Sequence, residues 1–155
     1  MVFDVHVYIN AAIGPDSEYP LIKEVPPSTS NASADCLSIA FDGDYELYIS
    51  PHIIKNISRV LGAVGWSEAQ VKEYLEFIAE VVSYSGGAVI DPPRVAHSSR
   101  DHEDNLILDL VAEVEADVLV SDDTDLTPLS PWRATPILRP HQFVERVVRE
   151  RRTRH

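Results

Sequence analysis

Cysteine is nearly missing from this 155-residue chain. Cys36 stands alone, so neither an intrachain disulfide nor a cysteine-based metal site is available. Glycine is also scarce, with six residues, and Gly86-Gly87 lacks the lysine or third glycine of a phosphate-cradling loop. No Gly-x-Ser-x-Gly elbow occurs, which removes one common nucleophile arrangement. No apolar stretch approaches the roughly 18 residues of a membrane span, and the opening MVFDVHVYIN has no basic secretion leader. A soluble cytoplasmic protein with no membrane partner is the expectation. Positive charge is the remaining shortage: 13 Lys and Arg stand against 25 Asp and Glu, a formal net charge of −12. Hydrophobic content of 45% excludes wholesale disorder. A chain of this length forms one domain and buries roughly two-thirds of the surface its unfolded form exposes.

The charge is unevenly spread. Five arginines (146, 149, 151, 152 and 154) against Glu150 make the last ten residues +4, which leaves −16 on residues 1–145. Residues 101–125 hold ten carboxylates and no Lys or Arg. That density repels nucleic acid and attracts cations, so any nucleic-acid role has to account for the sign. The organisation read from these patterns is a single domain over residues 1–145 with an Arg-rich tail at 146–155.

Apolar and helical patterns alternate along the chain. Residues 2–9, VFDVHVYI, read as a buried central strand, and shorter runs recur at 46–49, 117–121 and 135–138. Ser50-Pro51 supplies an N-cap and a first-turn proline for a helix to about Leu61. Ser67 and Gln70 have capping-box spacing before Val71, Tyr74, Leu75, Ile78, Val81 and Val82. Further helices are expected over 32–41, from about Leu106, and over 141–149. The resulting fold class is α/β, a three-layer α/β/α sandwich with a central parallel sheet of four to five strands. The stretches 14–33 and 85–100, rich in Pro, Gly and Ser, read as loops.

Three acidic positions carry the chemistry. Asp4 lies within an apolar run, where an ionised side chain is expensive unless paired or bound to metal; the simpler alternative is a strand-end Asp that caps the next element. In Asp101-His102-Glu103-Asp104-Asn105, Asp101 reads as a helix cap. Asp104, one turn later, reads equally as part of that helix start or as a carboxylate aimed at the sheet edge. Ser121-Asp122-Asp123-Thr124-Asp125 follows an expected strand, at the end of a parallel sheet where ligands bind; an ordinary Asp-rich turn is the bland alternative. If Asp4, Asp104 and Asp123 converge, the oxygen-only set suits Mg²⁺ or Mn²⁺ and points to hydrolysis of a phosphate ester. A dehalogenase-type phosphatase is excluded, because its second Asp would fall at His6.

The order of these features resembles the PIN-domain family, in particular toxin nucleases of VapC type and their stand-alone relatives. The resemblance rests on Phe3-Asp4-Val5-His6, the Ser50-Pro51 helix, Asp101 to Asn105, Ala116-Asp117-Val118-Leu119-Val120-Ser121-Asp122-Asp123-Thr124-Asp125-Leu126, and Ile137-Leu138-Arg139-Pro140-His141-Gln142-Phe143. It implies that Asp4, Asp104 and Asp123 are catalytic acids that hold Mg²⁺ or Mn²⁺ with help from Asp125, and that Ser121 orients them. Two positions depart from the family pattern: Asn56 stands where a Glu is usual, and His6 where an Asn is usual. The implied function is a divalent-metal-dependent endoribonuclease, the toxin of a toxin–antitoxin pair, with RNA, an antitoxin and a second copy of the chain as partners. Arg146, Arg149, Arg151 and Arg152 are the expected RNA contacts. Asn56 and His6 motivate the alternative, a degenerate PIN domain that binds RNA or protein without cutting.

Overall fold

The computed structural model describes residues 1–154. A short strand β1 (Val2–Phe3) leads into helix α1 (Val5–Ile13), and α2 (Ala32–Phe41), α3 (Pro51–Ala63) and α4 (Glu68–Ser85) follow. Helix α5 (His102–Val114) precedes strand β2 (Leu119–Val120), and strand β3 (Ile137–Leu138) precedes α6 (Pro140–Thr153). The three strands are parallel in the order β1-β2-β3. Parallel bridges from Val2 to Tyr48 and from Ile49 to Val89 add two extended segments beyond β1. Five segments thus lie side by side, three of them regular strands. Both residues of β1 and of β2 are buried although neighbouring strand residues point to opposite faces, so both faces of the sheet are covered.

One sequence expectation is corrected here. The apolar run 2–9 is a strand only to Phe3 and a helix from Val5. Asp4 makes the switch: its side chain accepts the Val5 N–H at 2.7 Å, which caps α1. Val7, Tyr8, Ala11 and Ala12 are buried, but Val5 and Ile9 on the other side are apolar and half-buried, so the run 2–9 lacks the polar face that separates helix from strand periodicity. The other helix starts follow their caps. Ser50 accepts the Ile53 N–H, Ser67 and Gln70 form a reciprocal capping box, and Asp101 accepts the Glu103 N–H. The stretch read as an Arg-rich tail continues α6 to Thr153 and is not a separate segment; His155 lies outside the described residues.

A single core joins the layers, centred on Phe3, Tyr8, Tyr74, Phe143 and aliphatic residues of α3 and α5. The long connections are tied down by buried carboxylates. Asp35 accepts from the backbone N–H and the hydroxyl of Thr29, fixing the end of the 14–31 loop. Asp109, 3% exposed, accepts the N–H groups of Val95 and Ala96 at 2.8 and 2.7 Å, and so fastens the 91–100 segment onto α5. Asp109→Ala strands two backbone donors and should cost about 2 kcal/mol in denaturant unfolding. It should also speed amide exchange over residues 91–100; exchange unchanged there would show that the segment is held by other contacts.

Candidate functional site

All the expected acids gather at one place because of strand direction. Parallel strands end at a common edge, and here β1 is followed at once by Asp4, β2 by Ser121 and β3 by Arg139. The segment at Tyr48-Ile49, parallel to β1, delivers the start of α3 to the same edge. Such an edge is where open parallel sheets bind ligands.

Asp4 is the anchor. It is 5% exposed; one oxygen takes the Val5 N–H and the other the Ser121 hydroxyl at 2.6 Å, with His6 Nδ1 3.4 Å away. Burial by itself would raise its pKa, but His6, Ser121 and the Val5 N–H together hold it below the ordinary carboxylate range. The Ser121 hydroxyl also accepts the Asp123 N–H at 3.0 Å, and Asp123 in turn accepts the Asp125 N–H at 2.8 Å. The acidic loop is thus built outward from Asp4. His6, where the family pattern has Asn, ties the same parts: Nδ1 faces Asp4 and Nε2 accepts the Asp122 N–H at 2.8 Å. Burial would lower the His6 pKa, yet the carboxylates of Asp4, Asp122 and Asp123 raise it.

Asp104 faces this loop from the first turn of α5. It is buried; the Ser99 hydroxyl lies at 3.4 Å, and the Asp123 carboxylate is its second hydrogen-bond partner. Its pKa is raised to about 7 by burial and then by the carboxylates of Asp123, Asp101 and Asp4. Those causes put Asp104 in electrostatic contact with both of the other expected catalytic acids. The tightest grouping differs from the expected one: oxygens of Asp101, Asp104 and Asp125 all lie within 4.8 Å of one another. Asp101 is therefore more than the cap it reads as in the sequence. One oxygen caps α5 through the Glu103 N–H at 2.9 Å, and the carboxylate also joins the acidic group. The signal was its spacing, since residues three apart on a helix share a face.

Asn56 meets the start of α5 at Glu103, beside that group. Its carbonyl oxygen accepts from Arg59 at 3.2 and 3.3 Å, and its amide donates to Glu103 at 3.3 Å. The expected basic residues at the C-terminus are elsewhere. Arg146 pairs with Glu150, while Arg151 pairs with Asp42 and Asp44 and donates to the Val25 carbonyl. Arg149 and Arg152 are exposed on the same helix.

The acidic group suits a hard divalent cation. Every donor is an oxygen, no Lys or Arg pairs with any of these carboxylates among the described residues, and the buried Asp104 has no cation partner and is repelled by its acidic neighbours. Asp101, Asp104 and Asp125, with Asp4 and Asp123 behind them, are the residues that would hold it.

No helix among the described residues is long and apolar enough to cross a membrane. No curated protein matches the chain. A family model described as PIN domain matches residues 1–125, which run from β1 through the whole acidic loop. With its acids gathered at the end of a parallel sheet and most of its length matched, the chain belongs to the PIN-domain family, a family of nucleases that generally depend on divalent metal.

Proposed function

We propose that the protein is a Mg²⁺- or Mn²⁺-dependent endoribonuclease. The observation that carries this reading is the convergence of Asp101, Asp104 and Asp125 within 4.8 Å around a buried carboxylate that has no cation partner. When bound there, a divalent ion activates water and stabilises the charge that develops on a phosphodiester in flight. The chain's own contribution is placement. Ser121 and the Val5 N–H hold Asp4 ionised and fixed, and the Ser121–Asp123–Asp125 hydrogen-bond series sets where the loop carboxylates stand. Ser99, itself held by Asn105 through both its N–H and its carbonyl, backs Asp104. Purified protein should cleave single-stranded RNA with Mg²⁺ or Mn²⁺, and Asp4→Asn should reduce the rate by about 100-fold or more. Metal-dependent cleavage that survives that substitution sinks the role given to Asp4.

The same repulsion gives a stability signature. A carboxyl raised in the folded chain from 3.8 to about 7 favours folding at low pH, and this contribution is lost as pH rises through 7. Asp104→Asn should therefore raise the Tm of the metal-free protein at pH 8, by about 3 °C for about 1 kcal/mol. The gain should be smaller at pH 5, and Mn²⁺ should stabilise the wild type far more than the variant. A lower Tm for Asp104→Asn at pH 8 would mean that its carboxylate is a net structural asset.

Asn56 supports the second reading, a degenerate domain that binds without cutting, because the position adds no charge and its oxygen is engaged by Arg59. Calorimetric titration of Mn²⁺ separates the two. Micromolar binding by the wild type favours the nuclease; no binding at millimolar metal, restored by Asn56→Glu, favours the degenerate domain. We extend the first reading to the toxin of a toxin–antitoxin pair, acting on RNA and countered by an antitoxin, with a second copy of the chain as a further partner. Induction in a bacterial host should arrest growth, and Asp4→Asn should relieve the arrest; undisturbed growth with abundant active protein counts against a toxin.

A further inference from the structure

A nuclease with net charge −12 needs cations within reach of its acids. The cations that stand out in the sequence are at the wrong end of the molecule. Helix α6 starts at the edge where β3 ends, and a helix that follows a parallel strand runs back along the sheet. Its 14 residues cover about 21 Å. Its far end lies where β1 begins: Glu150 accepts a hydrogen bond from Tyr45 at 2.6 Å, and the neighbouring Glu46 carbonyl accepts from the Met1 amine at 2.9 Å. Arg151 is further tied down by Asp42 and Asp44.

Other basic residues sit at the acidic edge. In the first turns of α3, His52, Lys55, Asn56 and Arg59 fall at helical spacings of three and four and so share one face. This face meets the start of α5, because Glu103 of α5 contacts His52 at 2.7 Å and Asn56 at 3.3 Å. Glu103 adjoins Asp104 in the chain and is capped by Asp101, so the α3 face borders the acidic group directly. Arg94 comes to the same place from the 91–100 segment. Burial lowers the His52 pKa, Glu103 opposes that, and the charges of Arg94, His102 and Lys55 add to the lowering. Lys55, Arg59 and Arg94 are exposed, and among the described residues none of them pairs with a carboxylate. Asp109 holds the backbone next to Arg94 against α5 by accepting the following two N–H groups.

We infer that Lys55, Arg59 and Arg94 form the phosphate-binding strip that leads single-stranded RNA across the α3–α5 junction into the acidic group, in place of the arginines of α6. The inference rests on the nuclease reading above. The strip supplies cations on one side of the acidic group, and Glu103, the carboxylate at the junction, is engaged by His52 and Asn56.

The test measures binding apart from cleavage. Full-length Asp4→Asn protein is titrated with a fluorescein-labelled single-stranded oligouridylate in Mg²⁺ and followed by anisotropy over a range of salt. Lys55→Gln, Arg59→Gln and Arg94→Gln, added singly, should each weaken binding by about three- to tenfold; together they should lower the salt slope by about 2, at about 0.7 per phosphate contact on a single strand. Arg149→Gln with Arg152→Gln should leave both unchanged. Mn²⁺ affinity of the triple variant, made in the wild-type background, should be unchanged or tighter, because loss of a neighbouring cation does not weaken an acidic site. Weakened RNA and Mn²⁺ binding together would reveal structural damage and overturn the assignment. Loss of RNA binding on α6 substitution, with the α3 variants intact, overturns the inference alone; absence of RNA binding by any form overturns it together with the nuclease reading.

Discussion

One hydrogen bond organises the acidic edge: the Ser121 hydroxyl donates to Asp4 at 2.6 Å in a fully buried setting. The strands it joins are two residues long, too short for their ladder alone to dictate where the chain goes next. Asp4 follows β1 and caps α1, so its orientation sets the exit of the first helix. Ser121 follows β2 and, through its second role as acceptor from the Asp123 N–H, sets the start of the acidic loop. A hydroxyl can donate and accept at once, whereas a carboxylate in its place could only accept and would repel Asp4. His6 reinforces the same joint from α1 by facing Asp4 with one nitrogen and accepting the Asp122 N–H with the other. This joint holds more than one acid in register because each member is bonded to the next.

Fixing acids so close together has an electrostatic cost, and the structure distributes it unequally. Asp4 is bonded by the Val5 N–H and the Ser121 hydroxyl, faces His6 and stays ionised, while Asp104 has the Ser99 hydroxyl at 3.4 Å and the like-charged Asp123 as partners and takes the strain. A buried carboxylate with three like-charged neighbours and no cation is expensive to retain for stability alone. Of the ten carboxylates between residues 101 and 125, Asp109 shows what a purely structural one looks like. It is just as buried, but two short backbone donors satisfy it. The contrast between Asp104 and Asp109, five residues apart on one helix, separates a poised group from a fastening.

The parts of the fold that were legible in the sequence are those with local causes. Ser50-Pro51, Ser67 with Gln70, and Asp101 announce helix starts because a cap acts within three residues of itself. The length of β1 was not legible, since a run that stays apolar on its half-buried side as well as its buried one shows neither period clearly. At the site, Asp4, Asp104 and Asp123 were readable as candidate acids, because an acid among apolar residues or after a strand stands out. Asp101 was hidden by the sufficiency of its cap role, although its three-residue spacing from Asp104 placed both on one helix face. The C-terminal arginines were conspicuous by composition. Their distance from the acids follows from chain direction, which composition does not contain.

Asn56 connects the acidic group to the strip of cations. An acid at this position would stand beside Glu103, 3.3 Å from the present amide, and would claim Arg59, which now bonds the Asn56 carbonyl. Both effects would act against substrate: a further negative charge at the α3–α5 junction, and a guanidinium neutralised by an internal ion pair. With a neutral amide there, the Asn56 N–H group satisfies Glu103 while its carbonyl orients Arg59 without cancelling its charge. The carboxylate missing from α3 is matched on α5 by Asp101, whose oxygen lies within 4.8 Å of Asp104 and Asp125. The arrangement therefore keeps acids on the α5 and β2 side of the junction and cations on the α3 side. On the nuclease reading, that separation of charge gives a strongly acidic chain one face that a polyanion can approach.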